Sequence, residues 1–236
     1  MKKTDNDGKV YVNKNGDTVL RVSEVIGTLS KKQLVAWANK LGLQGISHKD
    51  ELRRTANIGS LVHNVLEQFQ NKDDIAIIDY DLYDVTSKKD KRETKNALRS
   101  FRKWYNKLED KINVVFTEYV VVGEEVGGTI DCAIEGIKDP NKLIFIDYKT
   151  SSGVYLTMML QLAGYVKIYE ENYGSNTIEG IMVIQLDKKN GNRANAKFIS
   201  RKKLDPYIYC FNCLLDTTIM MKTLQGSFGE DMETIH

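Results

Sequence analysis

Residues 142–152, KLIFIDYKTSS, decide how the rest of the chain is read. Leu143, Ile144, Phe145 and Ile146 form a short apolar run of the kind that fills a buried strand, and it passes directly into Asp147, Tyr148 and Lys149. Side chains at i and i+2 share one face of a strand, so Asp147 and Lys149 stand side by side, with Tyr148 on the other face beside Ile144 and Ile146. A second strand is expected just upstream, GGTIDCAIEG at residues 127–136, joined to the first through IKDPNK. A turn centred on residues 139–141 pairs the two strands with residue numbers summing to about 280, which puts Asp131 opposite Lys149. Alternation then sets Ile130, Cys132 and Ile134 on one face, and Thr129, Asp131 and Ala133 on the other.

Outward from this hairpin, NVVFTEYVVVG at 113–123 gives a further strand, and KVYVNKNGDTVLRVS at 9–23 gives two short β segments around an Asn-Lys-Asn-Gly turn. A helix begins near Ser30, with Ser30 and Gln33 spaced as a capping box and Gly42 placed to end it. A second, over 51–70, carries Ile58, Leu61, Val62, Val65, Leu66 and Phe69 at helical spacing, with His63 and Glu67 one turn apart at its polar edge. The acid-rich stretch 71–87 reads as a loop or short helix. A third helix over 88–108 has an apolar stripe of Ala97, Leu98, Phe101, Tyr105 and Leu108, and its other faces are basic. Residues 88–107 carry a net charge of +7, against +2 for the whole chain. Such a run is a solvated face or a phosphate-tracking surface. A helix over 155–173, strands at 179–187 and 195–200, and a last helix over 205–224 complete the pattern.

The fold class is therefore α/β (α+β), a central mixed β-sheet flanked by helices with an N-terminal helical region. With 236 residues and no repeat or low-complexity linker, the chain is expected to be one domain: 1–110 mainly helical, 111–203 a sheet and helix, 204–236 a C-terminal helix. The lysines near the N-terminus precede no apolar run, and no stretch of ~18 apolar residues occurs, so neither a secretory signal nor a membrane span is expected. Three cysteines fit a reducing, cytoplasmic setting and are too few for a four-cysteine iron-sulfur site; Cys210 and Cys213 are expected to pack within a helix. No GxxxxGK[ST] stretch is present, so no nucleotide cofactor is expected.

Two carboxylates and a lysine converging at one sheet end pose an electrostatic problem, because like charges repel unless a cation neutralises them. A divalent ion solves it, and hard oxygen donors suit Mg2+ or Mn2+ better than zinc. A cross-strand ion pair between Asp131 and Lys149 is the simpler reading of the same three residues.

Asp131 in GGTIDCAI followed by FIDYKTS resembles the Asp…(Asp/Glu)-x-Lys motif of the PD-(D/E)XK nuclease superfamily. Three further stretches are similar to its RecB-type exonuclease branch, which includes phage exonucleases and the mitochondrial genome maintenance exonuclease. IGSLVHNVLEQF matches the branch's Gly-(Ser/Thr)-x-x-His helix, LQLAGYVKIYEE its Gln-x-x-x-Tyr helix, and TEYVVVGEEVGGTID its strand with an acidic residue before the aspartate. The resemblance implies a restriction-endonuclease-like core. It also implies Asp131, Asp147 and Lys149 as catalytic residues, with His63, Asp131, Asp147 and the Tyr148 main-chain carbonyl as ligands of one or two Mg2+ or Mn2+ ions. Glu118 is a further ligand or the partner of a surface lysine. Gln161 and Tyr165, together with Thr150 and Ser151, are placed to contact DNA phosphates, the first two otherwise serving helix packing. Glu67 is the candidate to orient His63 from behind. The implied activity is a sequence-independent DNA exonuclease at single-stranded or duplex ends, in phage or bacterial recombination, repair or replication, with protein partners from that machinery. A structure-specific flap endonuclease and a non-catalytic DNA-binding subunit are the alternatives.

Overall fold

The computed structural model describes residues 9–29, 32–71, 78–108 and 112–227. Its elements run β1 (Tyr11–Val12), β2 (Thr18–Arg21), α1 (Val22–Gly27), α2 (Lys32–Leu43), α3 (His48–Gln70) and α4 (Lys88–Tyr105). They continue with β3 (Val114–Val122), β4 (Val126–Glu135), β5 (Leu143–Lys149), α5 (Leu156–Tyr173), β6 (Ile178–Gln185), β7 (Asn195–Ser200) and α6 (Asp205–Ser227). Among the described residues the strands form one seven-stranded mixed sheet with helices on both faces, as the fold class expected. No described helix is long and apolar enough to cross a membrane.

The apolar run of β5 does what a continuous run should: Ile144, Phe145 and Ile146 are fully buried between two helical layers. Phe145 joins Ala133, Ile181 and Val183 in a core shared with α1, α5 and α6. Ile144, Ile146 and Tyr148 join Cys132, Ile134 and Ile184 in a second core beneath α3 and α4. Asp147 and Lys149 therefore emerge on the α5 side of the sheet, while Tyr148 is anchored on the α3 side. Gly164 lets α5 meet α6 closely, since a Cβ there would lie 2.6 Å from the Phe211 ring.

The pairing around β4 creates the opening that matters for function. β3 occupies one edge of β4 from Ile134 to Gly127, so β2 and β5 must share the other edge. β2 takes Val126 and Gly127 in parallel, and β5 takes Cys132 to Glu135 antiparallel. Among the described residues, 128–131 have no strand partner on that edge.

Several expectations are corrected. The β4–β5 register pairs Cys132 with Ile146 and Glu135 with Leu143, so its extension puts Asp131 opposite Asp147 rather than Lys149. The turn is centred on Asp139, because the Glu179 carboxylate accepts the N–H groups of Lys138 and Asp139 and fixes the loop there. Ile130 lies in the α5-side core while Cys132 and Ile134 lie in the other, so the alternation of β4 breaks at Asp131. The segment after β2 turns into α1 at Val22 instead of continuing as a strand. α2 runs through Gly42 to Leu43, and the positive φ falls at Gly45 (φ +70). α3 starts earlier than expected, at His48, because the Ser47 side chain caps it by accepting the Asp50 N–H. Cys210 and Cys213 are exposed on α6 instead of packed. The Ser30–Gln33 capping box lies outside the described residues.

Candidate active site

His63 is placed by α3, whose buried stripe of Ile58, Leu61, Val62, Val65 and Leu66 lays the helix on the sheet and turns His63 to its edge. His63 Nε2 lies 2.8 Å from the Tyr148 carbonyl oxygen, a pure acceptor, so that nitrogen carries the proton of the contact. Its Nδ1 faces Asp131 Oδ2 at 3.4 Å. Seven residues on, from the same face of α3, Gln70 donates to the Tyr148 hydroxyl at 2.6 Å. One helix thus holds Tyr148 at both its carbonyl and its ring. The Gln70 contact was not anticipated; its two-turn spacing from His63 was the available signal.

Asp131 sits in the unpaired stretch of β4 and accepts the Tyr148 N–H with Oδ2 at 3.0 Å. A side chain here replaces the ladder bond that a strand neighbour would make, and β4 and β5 splay apart past Cys132 and Ile146. Across the other edge, Thr117 pairs with Cys132 and Tyr119 with Ile130, so Glu118 stands against Asp131. Glu118 has φ +44, the left-handed region that a non-glycine residue in a strand avoids at a cost of about 1–3 kcal/mol. The strain turns its carboxylate toward Asp131 instead of along the pleat. Ligand atoms of His63, Glu118 and Asp131 all lie within 4.8 Å of one another. Glu118 also reaches Lys9 at 3.9 Å, so both partners considered for it lie within its range.

Asp147 is 1% exposed and takes a 2.7 Å hydrogen bond from Lys149 Nζ at Oδ1. Its Oδ2 is buried with no hydrogen-bond partner among the described residues. Burial pushes the Asp147 carboxyl up to about 6; the Asp131 charge adds to this and Lys149 opposes it. Burial also pushes Glu118 up to about 7, with the Asp131 charge contributing. Burial works against the Lys149 ammonium, but Asp147 and Asp131 outweigh it and hold the group above the ordinary lysine range. Lys149 is therefore a proton-bearing donor.

The remaining candidates surround this centre. Tyr165 packs on β4 where Gly128 leaves room, since a Cβ there would come within 2.5 Å of its ring. Its hydroxyl accepts from Gln161 Nε2 at 3.0 Å, and burial with the nearby Asp131 and Asp147 charges holds it far above the usual phenol range. Thr150 lies beside the α3 backbone at Gly59, whose Cβ would sit 3.6 Å from Thr150 Oγ1. The Ser151 hydroxyl donates to the Gly153 carbonyl at 2.7 Å. Both nitrogens of His63 turn to groups other than Glu67, and the Tyr148 carbonyl takes the orienting contact. Phe101 and Trp104 are 3% exposed and fill the α3–α4 core.

An imidazole nitrogen and two carboxylates converging on one point, beside an orphaned buried carboxylate oxygen, form a set of acceptors that a cation would satisfy. The oxygen-rich donor set with one nitrogen fits Mg2+ or, with the imidazole, Mn2+. The fold and this trio make a candidate metal site at the edge of a splayed mixed sheet.

A sequence profile of the PD-(D/E)XK nuclease superfamily matches residues 36–207. The chain belongs to that superfamily. Membership implies a phosphodiesterase with DNA as its substrate and a divalent metal as its usual cofactor. No curated protein matches the chain in sequence. Among solved structures, the protein SSO0001 is similar with a TM-score of 0.44 and 16% identity, covering 89% of this chain and 78% of that one. A Eubacterium rectale protein described as a "putative exonuclease" is similar with a TM-score of 0.49 and 12% identity, covering 74% and 69%.

The raised Glu118 carboxyl makes a stability prediction. Its folded value of about 7 exceeds the ordinary 4.5, so its contribution is fully present below about 4.5 and is lost as pH rises through 7. In EDTA, Glu118→Gln is expected to be more stable than wild type at pH 8 by about 1–2 kcal/mol, allowing for partial solvent screening, and equal to it at pH 4.5. Urea denaturation at the two pH values measures this.

Proposed function

We propose that this protein is a divalent-metal-dependent exonuclease that hydrolyses DNA phosphodiesters from strand ends without sequence preference. The observation that carries the metal-dependent hydrolysis is the convergence of His63, Glu118 and Asp131 beside the Asp147–Lys149 pair. The preference for ends rests on the resemblance of the five motif stretches to RecB-type exonucleases.

In this reading Asp131, His63 and Glu118, with Asp147 and the Tyr148 main-chain carbonyl, would hold Mg2+ or Mn2+. Such an ion would supply Lewis acidity for activating water and for offsetting the charge that builds on the phosphate oxygens. Lys149, kept protonated by Asp147, donates to the phosphate and stabilises its developing negative charge. Asp131 fixes the Tyr148 amide, and His63 fixes its carbonyl, so the end of β5 is held rigidly against the substrate. Gln161 and Thr150 offer neutral donors to adjacent phosphates, which carry no base information. Nothing in this set reads a base edge.

The test compares linear and circular single-stranded DNA of one sequence with Mg2+ and with Mn2+. The linear form is expected to be degraded from its ends while the circle persists. Equal cutting of the circle would replace the exonuclease reading with an endonuclease. No metal-stimulated cleavage of either would leave a DNA-binding subunit.

A further inference from the structure

Helix α4 carries a charge arrangement that the site described above does not use. Its acids, Asp90 and Glu93, face inward, where Arg54 Nη1 of α3 meets them at 2.6 and 3.1 Å. Its apolar residues Ala97, Phe101 and Trp104 are buried against α3 and the sheet. At about 100° per residue, Lys88, Arg92, Lys95, Arg99 and Arg102 form a single stripe on the opposite side of the helix. All five are exposed, and none forms an ion pair among the described residues. A helix needing only solubility would intersperse both signs, as same-sign neighbours at i+3 and i+4 repel. Here Arg54 removes the acids from the surface and leaves an outer face of one sign.

The stripe is tied to the candidate active site through one loop. The N–H of Leu186, just past β6, donates to the Lys149 carbonyl at 2.7 Å. The next N–H, of Asp187, donates to Ser100 Oγ on α4 at 2.9 Å. Asn96 Nδ2 then holds the carbonyls of Lys188 and Lys189 at 3.2 and 2.6 Å, and Lys103 Nζ holds that of Gly191 at 2.7 Å. This β6–β7 loop starts at the catalytic strand end, lies against α4, and adds the exposed cations Lys189 and Arg193.

We propose that the α4 stripe, continued by Lys189 and Arg193, is a phosphate track that holds the DNA flanking the cleaved bond. The proposal rests on the nuclease reading for the identity of the polyanion. From Lys88 to Arg102 the helix rises ~21 Å, the length of about six phosphates of one strand at ~3.4 Å each. A long strand can use the whole track and a minimal phosphodiester none of it.

The experiment measures binding of a fluorescent 20-nucleotide DNA in EDTA, by anisotropy across a salt series. Wild type is compared with the triple variant Arg92→Ala, Lys95→Ala, Arg99→Ala, alanine being a good helix former. A control triple, Lys138→Ala, Lys202→Ala, Lys203→Ala, removes equal charge at the sheet end opposite Lys149. The stripe variant is expected to bind at least tenfold more weakly, with the slope of log affinity against log salt reduced by about 2–3. The control is expected to match wild type, and Mn2+-dependent hydrolysis of bis(4-nitrophenyl) phosphate is expected to be unchanged in both. Unchanged affinity and slope in the stripe variant, or equal losses in the two triples, would overturn the track. Absence of metal-dependent hydrolysis in wild type would instead overturn the nuclease reading, while the anisotropy result still decides the stripe.

Discussion

Asp131→Asn is expected to abolish metal-dependent cleavage, by on the order of 10³-fold, while leaving the protein folded. The separation follows from the two things Asp131 does. Its Oδ2 accepts the Tyr148 N–H at 3.0 Å, a neutral task that an asparagine carbonyl oxygen performs as well. Its charge belongs to the cluster with His63 and Glu118, and asparagine cannot supply that. Asp131→Ala, by contrast, leaves the Tyr148 N–H without its acceptor and is expected to cost a further ~1–3 kcal/mol of stability. End-labelled DNA digestion with Mn2+, set beside urea denaturation, reads both effects. Cleavage by the asparagine variant within tenfold of wild type would remove Asp131 from the reacting centre. The variant should also lose part of the strain that the Asp131 charge imposes on Glu118, and so melt slightly higher in EDTA at pH 8.

The strands and their burial were legible in the sequence because period and composition report local geometry directly. The run at 143–146 and the stripes on α3 and α4 occupy the faces their spacing implied, except that Phe69 at the end of α3 is exposed and Trp104, outside the expected stripe, is buried. What could not be read depended on contacts made between distant segments. The register was missed by two residues because Glu179, forty residues downstream, sets the centre of the 136–142 turn one residue earlier than expected. The break in β4 at Asp131 was invisible because it follows from β2 and β5 sharing one edge, a property of topology and not of the residues at 128–131. Glu118 illustrates the same limit. Its position before the aspartate was noticed, but a positive φ in the middle of a valine-rich strand contradicts every local preference there. Local rules fail at this point because Glu118 leaves regular strand geometry, which brings its carboxylate close to Asp131 and His63. Likewise, the basic character of 88–107 was plain from composition, but whether its two acids neutralised the surface depended on Arg54 from another helix.

Lys149→Met is expected to separate the structural part of this lysine from its chemical part. Methionine keeps an unbranched apolar stem, so the loss is confined to the ammonium and its 2.7 Å bond to Asp147 Oδ1. Both oxygens of a carboxylate that is 1% exposed are then uncompensated. Burial already pushes Asp147 from the ordinary 3.8 up to about 6 with the lysine beside it, and loss of Lys149 removes an influence that holds it down. Because the folded value is raised, the contribution of Asp147 to stability is complete below about 3.8 and is lost as pH rises through the folded value. In EDTA at pH 8 the variant should therefore be less stable than wild type by about 3 kcal/mol, the cost of an uncompensated buried charge. At pH 5 Asp147 is largely protonated in both proteins, and the difference should fall below about 1 kcal/mol. Added Mn2+ should recover more stability at pH 8 in the variant than in wild type, because there it meets a carboxylate with no other cation. Cleavage should nevertheless stay about 10²–10³-fold down, since the donor to the phosphate is gone. Equal destabilisation at pH 5 and pH 8 would show that Lys149 supports the fold through packing alone, and recovery of cleavage with Mn2+ would show that its charge serves only Asp147.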